Sequence, residues 1–168
     1  NDGGRFNKSV LSSLWRFSAG LTGITLTSIL LMQTDKLVLS KILSLTDFAY
    51  YAFATTVAAI IGRLTSPIFS AYFPKLTTLV AAKNETDLIN NYHTGCQLVA
   101  IIIFPVSMSL VFYSQEILRI WTDNPTLVSQ TWRLVVLLVI GSTLNSLMIL
   151  PYLLQIAHGL TKLTFYTN

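Results

Sequence analysis

Phe48–Pro74 reads FAYYAFATTVAAIIGRLTSPIFSAYFP, and its single charged residue is Arg63. A run this apolar exceeds the roughly 20 residues that a helix needs to cross a hydrocarbon core. Three more runs almost free of charge, Phe17–Thr34, Leu88–Gln115 and Leu134–Thr161, fill most of the remaining chain. The pattern is that of an all-α integral membrane protein with four transmembrane helices, expected at about 14–39, 48–79, 88–113 and 126–156. Arg63 then needs an explanation. An arginine at a helix centre costs roughly 2.5–3.5 kcal/mol on insertion scales and usually faces a protein partner or a water-filled path.

Composition excludes several function classes. The mean hydropathy is +0.61, with 52% hydrophobic and 11% charged residues, whereas soluble domains carry about a quarter charged residues. Eleven Lys and Arg oppose seven Asp and Glu. The basic residues are scattered through the loops, so the stripe that a nucleic-acid partner requires is missing and no such partner is expected. Cys96 is a lone cysteine, which excludes an internal disulfide. Beside it only His93 and His158 could ligate a metal, at no recognised spacing, and no cofactor is expected. The sequence pairs no nucleophile with an adjacent base and has no glycine loop to cradle phosphate, and Glu85, Asp87, Glu116 and Asp123 fall in short turns where capping or solvation accounts for them. An enzyme is therefore not expected. A membrane polymerase or glycosyltransferase would add a large charged extramembrane loop, which this sequence does not show. Asn1–Ser13 is polar and the first apolar run is too long for a signal peptide. The absence of an initiator Met and the loop-like Thr161–Asn168 are what a piece of a longer protein would give.

Along the chain, Asn1–Ser12 reads as a loop or interfacial segment, and Trp15 and Arg16 anchor the entry to the first helix. At about 100° per residue that helix collects Ser18, Thr22, Thr25, Gln33, Lys36 and Ser40 on one side. Asp35 and Lys36 point in different directions near its end, where charges either snorkel to headgroups or line a cavity. A short turn at Leu43–Asp47 precedes the second helix, whose start carries the interface aromatics Tyr50 and Tyr51. Here one face holds Ala52, Thr56, Ala59, Arg63, Ser66, Ser70 and Thr77, and the other Ile61, Ile68, Tyr72 and Leu79. KNETD at 83–87 is a hydrophilic turn with Thr86 or Asp87 as cap. Ser114–Asn124 is amphipathic, and Asn124-Pro125 marks a break. In the fourth helix Ser142, Asn145 and Ser146 fall in one sector, and a buried Asn145 calls for a hydrogen-bond partner on a neighbouring helix. Kinks are expected at Pro67, Pro105 and Pro151.

Orientation follows from the loop cations. Arg5, Lys8, Arg16, Lys75, Lys83 and Lys162 fall on one side and Lys36, Lys41, Arg119 and Arg133 on the other. The positive-inside rule puts both ends in the cytoplasm.

QTDKLVLSKILSLTDFAYYAFA (Gln33–Ala54), SPIFSAYFPKLTTLVAAKNETDL (Ser66–Leu88) and EILRIWTDN (Glu116–Asn124) together resemble the polysaccharide-transporter family. These are the O-antigen or lipid-linked oligosaccharide flippases of the MOP superfamily, which also holds multidrug antiporters and the peptidoglycan-precursor flippase. The match is similar to the first four helices of the second bundle of a MATE-like fold. The resemblance implies a flippase moving a polyprenyl-pyrophosphate-linked sugar repeat across the cytoplasmic (inner) membrane of a bacterium. Its partners would be that substrate, membrane lipids and polysaccharide assembly proteins. It implies a cavity with Arg63 as its cation and Lys36, Asp35, Gln33 and Asn145 as companions. A multidrug or cation antiporter of the superfamily, a membrane enzyme of polysaccharide assembly, and a small structural four-helix protein are the alternatives. An antiporter is expected to use an intramembrane carboxylate, and the first helix offers only Asp35.

Overall fold

The computed structural model describes residues 8–159, which form helices joined by short turns, with no strand among the described residues. They divide into two units, the first helix through Ile42 and the chain from Leu43 onward. The expected loop segments Asn1–Asn7 and Thr161–Asn168, with Arg5 and Lys162, lie outside the described residues, as does the Arg16 side chain.

The first helix, α1, is Lys8–Ile42 (35 residues). It begins before the expected Leu14, so Lys8–Ser12, read from sequence as loop, is helical; after Gly4 no glycine or proline interrupts the backbone until Gly20. Its threonines satisfy their own hydroxyls: Thr22, Thr27 and Thr34 donate to the carbonyls of Ser18, Gly23 and Leu30, one turn back. Lys41 in the last turn complements the negative end of the helix dipole.

In the second unit α2 is Leu45–Ala81, α3 Glu85–Phe112, α4 Ser114–Thr122, α5 Pro125–Leu147 and α6 Ile149–Ala157. Three stretches among the described residues are long and apolar enough to cross a membrane: α2 with 37 residues, α3 with 28, and Pro125–Ala157 with 33.

Polar caps start these helices. Ser44 precedes α2, its hydroxyl oxygen accepting from the Asp47 N–H at 3.1 Å and its O–H donating to Asp47 Oδ2 at 2.7 Å. Asn84 does the same for α3, and Asp87 sits three residues in as its partner rather than as the cap itself. Before α5, Asp123 turns the chain with φ 47°, Asn124 is extended as a residue preceding proline must be, and Pro125 opens the helix, where its missing N–H costs nothing. α2 therefore begins three residues before the expected Phe48, and α3 three before Leu88.

Pro151 acts upstream of its own position. It has no N–H for the carbonyl of Leu147, and its ring crowds that carbonyl. The helix accordingly stops at Leu147, the Met148 N–H bonds to the Asn145 carbonyl at 3.1 Å, and α6 restarts at Ile149.

The core lies where α2 meets α3, α5 and α6. Ala54, Val57, Ala58, Ile61, Ile68 and Leu76 supply one face of α2, meeting Val99 and Ile103 from α3, Val135 and Val139 from α5, and Leu150 and Leu153 from α6. Packing geometry, rather than escape from water, orders such contacts in lipid, and small residues set the closest approaches. Gly95 is the tightest: a Cβ there would lie 2.8 Å from Tyr72 Cε1 and 2.9 Å from Leu150 Cδ1.

Candidate functional site

Arg63 lies at the midpoint of α2, equidistant from Leu45 and Ala81, about 27 Å of helix from either end. The uncharged flanks on both sides keep its guanidinium deep in the span. Its orientation follows from the packing of the opposite face. Ile61 and Ile68 are fully or almost fully buried, while Arg63, Ala59, Thr56, Ser66, Ser70 and Thr77 are all exposed, as the helical period predicts; Ala52 of the same face and Tyr72 and Leu79 of the opposite one are half-buried.

Most polar groups on this face need no partner from elsewhere. Thr56 donates to the Ala52 carbonyl at 2.8 Å, Ser70 to Ser66 at 3.2 Å and Thr77 to Phe73 at 2.7 Å. Such back-bonding lets Ser and Thr sit in hydrocarbon at little cost. A guanidinium has five donors and no equivalent option. Pro67 adds to the local polarity, because it cannot donate to the carbonyl four residues back, which is that of Arg63 itself. One residue thus presents both a cation and a carbonyl lacking its usual i+4 donor. The carboxylates of this unit offer no counterion at that depth: Asp47, Glu85, Asp87 and Glu116 occupy first turns, and Asp123 the end of α4.

The outward faces of the other spans differ. α3 exposes Leu98, Ile101, Phe104, Met108 and Phe112, and α5 exposes Leu137, Ile140 and Leu144. Bulky apolar side chains at these spacings make stripes suited to acyl chains. Past Leu45, α2 exposes no large hydrophobic residue. Apart from Asp47 in its first turn and Lys75 near its other end, its outward face is glycine, alanine, serine, threonine, proline and Arg63, and a Cβ placed on Gly62 would meet nothing within 4 Å. Further along, Phe69, Ser70, Phe73, Pro74, Thr77 and Thr78 line a shallow open groove on the same helix.

The other expected site residues are distributed as follows. Gln33, Asp35 and Lys36 fall within one turn of α1 and are exposed there. Asn145 is near the end of α5 and is exposed, not buried, and the expected interhelical bond from it is absent. Its sector splits at the packing boundary: Ser146 is buried, Ser142 half-buried, and Asn145 turns away, about 100° from Ser146. The interhelical polar contact is made instead by Thr143, which the sequence reading did not single out. Thr143 Oγ1 lies 2.7 Å from Ser107 Oγ on α3 and 2.7 Å from the Val139 carbonyl. A hydroxyl has one proton and a carbonyl only accepts, so both contacts are made when Ser107 donates to Thr143 and Thr143 to Val139. Ser107 falls among Val99, Ile103 and Leu110 on the buried face of α3, and that placement was the signal in the sequence; Thr143 shares its face with Thr131 and Ser146 and stood out less. No group of three or more His, Cys, Asp or Glu side chains able to hold a metal occurs among the described residues.

A family model described as "Polysaccharide biosynthesis protein" matches residues 3–136, most of the chain. The chain belongs to this family. It is also similar to a Shigella flexneri protein named "Putative O-antigen transporter", with 24% identity over 162 residues that cover 96% of this chain and 38% of that protein. The chain thus spans well under half the length of that relative. No solved structure matches it. Family membership and the apolar helices together make this a multi-pass membrane protein of polysaccharide biosynthesis, the class that the sequence motifs resemble.

Proposed function

We propose that the chain is part of a flippase that carries a polyprenyl-pyrophosphate-linked oligosaccharide, an O-antigen or similar surface repeat, across the inner membrane of a bacterium. Its role is transport, not bond chemistry. One observation carries the reading: α2 turns a small, polar surface outward with Arg63 at its centre, while α3 and α5 turn bulky apolar stripes outward. A surface of the first kind suits an aqueous path and gains nothing from acyl chains. In that path a guanidinium can hold two phosphate oxygens at once. Ala59, Gly62, Ser66 and Ser70 leave room beside it for a bulky sugar carrier.

The test uses the full-length transporter in cells lacking their own copy, reading surface polysaccharide and, separately, the amount of protein in the membrane fraction. Arg63→Ala is expected to abolish transport with insertion intact, Arg63→Lys to retain part of it because a point charge replaces the fork, and Arg63→Glu to be inactive. Normal transport by Arg63→Ala, or a loss explained by failed insertion, would remove Arg63 from the path and make it a structural residue.

A further inference from the structure

The nine residues of α4, SQEILRIWT, connect two membrane-spanning helices with only Tyr113 before and Asp123-Asn124 after. A segment so tethered lies at the bilayer boundary. With Ser114 set at 0° and about 100° per residue, the side chains sort into three sectors. Ser114 and Leu118, both buried, and the half-buried Thr122 centre near about 40° and face the protein. Ile120, Ile117 and Trp121 centre near about 300°, roughly a right angle from the packed face. Gln115 and Arg119 centre near about 120°, on the other flank, with Glu116 pointing away from the protein. The apolar sector is therefore wider than the protein covers, and the excess lies to one side only. Ile120 is 87% exposed and Trp121 56%, and Phe112 and Tyr113 at the end of α3 are exposed as well. Trp121 is held in place from the protein side by Phe53 of α2, with ring centroids 5.8 Å apart.

We propose that α4 is a lipid-binding interfacial helix, with Ile120 and Trp121 seated at the acyl boundary of one leaflet and Arg119 against a phospholipid headgroup phosphate. Three faces at right angles are what such a position requires: protein on one side, hydrocarbon below, headgroups and water above. A helix standing free in water would not carry Ile120 and Trp121 exposed on one side. Trp and Tyr at this height are the residue types that favour the interface, and a guanidinium on the headgroup side meets an anionic oxygen there.

The experiment places a nitroxide on Ile120→Cys and, separately, on Gln115→Cys in the full-length transporter with its other cysteines replaced. The protein is reconstituted in phosphatidylethanolamine and phosphatidylglycerol vesicles, and collisions with oxygen and with a water-soluble nickel chelate are compared. Both positions are exposed, so neither label displaces a packed side chain. The expected result is a several-fold preference for oxygen at Ile120, at a depth of about 5–10 Å below the phosphates, and a several-fold preference for nickel at Gln115. A label at Ile120 shielded from both reagents would show that another protein segment covers the face. One open to nickel would show that α4 stands in water. Either result overturns the assignment.

Discussion

The outward faces of α2 and α3 are both exposed and are chemically unlike. α3 shows Ile101, Phe104, Met108 and Phe112, side chains for which acyl chains are a good neighbour. α2 shows Ala59, Gly62, Arg63, Ser66 and Ser70. Exposure alone therefore says little in a membrane protein, and the informative quantity is what the exposed face is made of. Two glycines repeat the contrast. Gly95 of α3 points inward and is required, because Tyr72 and Leu150 occupy the space that a methyl would need, whereas Gly62 of α2 points outward into open space.

The comparison can be broken most directly by moving the charge. Ile101→Arg puts on the α3 face what α2 carries natively, and it is expected to cost roughly 2.5–3.5 kcal/mol of insertion free energy, measurable as a glycosylation-mapped loss of insertion of the span. If Ile101→Arg inserts as well as wild type, the two faces are not different solvents. Next comes Gly95→Ala, where overpacking against Tyr72 and Leu150 should lower stability by about 1–3 kcal/mol, read as a drop in unfolding temperature in detergent. Gly62→Ala, its outward counterpart, should leave that temperature unchanged or raise it slightly, since alanine is the better helix former. Equal losses at the two positions would erase the distinction between them. Ser107→Ala should cost least, about 0.6 kcal/mol, the average for interhelical hydrogen bonds in membranes. Thr143→Ala on top of it should then add only a small further loss in a double-mutant cycle, because one contact joins the pair.

Much of this was legible in the residues. The division of α2 into a bulky face and a small polar face followed from period alone, since Ile61 and Ile68 stand opposite Arg63 whatever the neighbours are. The amphipathic Ser114–Asn124 and the break at Asn124-Pro125 also followed, from charge pattern and from the geometry of proline. Other features did not. The interruption at Met148 was expected at Pro151, because the effect of proline falls on the carbonyl four residues earlier. The starts of α2 and α3 were set too late, because Ser44 with Asp47 and Asn84 with Asp87 read as turn residues until their mutual hydrogen bonds show them as caps. Asn145 was expected buried because a helical wheel groups it with Ser146, yet the edge of the packed face runs between them. Where that edge falls depends on the shapes of several helices together, which no single period encodes. For the candidate site, Arg63 stood out from the sequence by its charge, while the contrast with α3 that gives it meaning needed the packed structure.

The capped starts of α2, α3 and α5 also bear on how the protein is made. Ser44, Asn84 and Asn124 each bind a backbone N–H three residues ahead, so every one of these contacts closes within four consecutive residues. Such a bond forms as soon as those residues leave the ribosome and needs no neighbouring helix. A nascent chain inserting one span at a time can thus fix where each span begins before the next has been synthesised, and later assembly has only to rotate and pack helices whose starting points are already set.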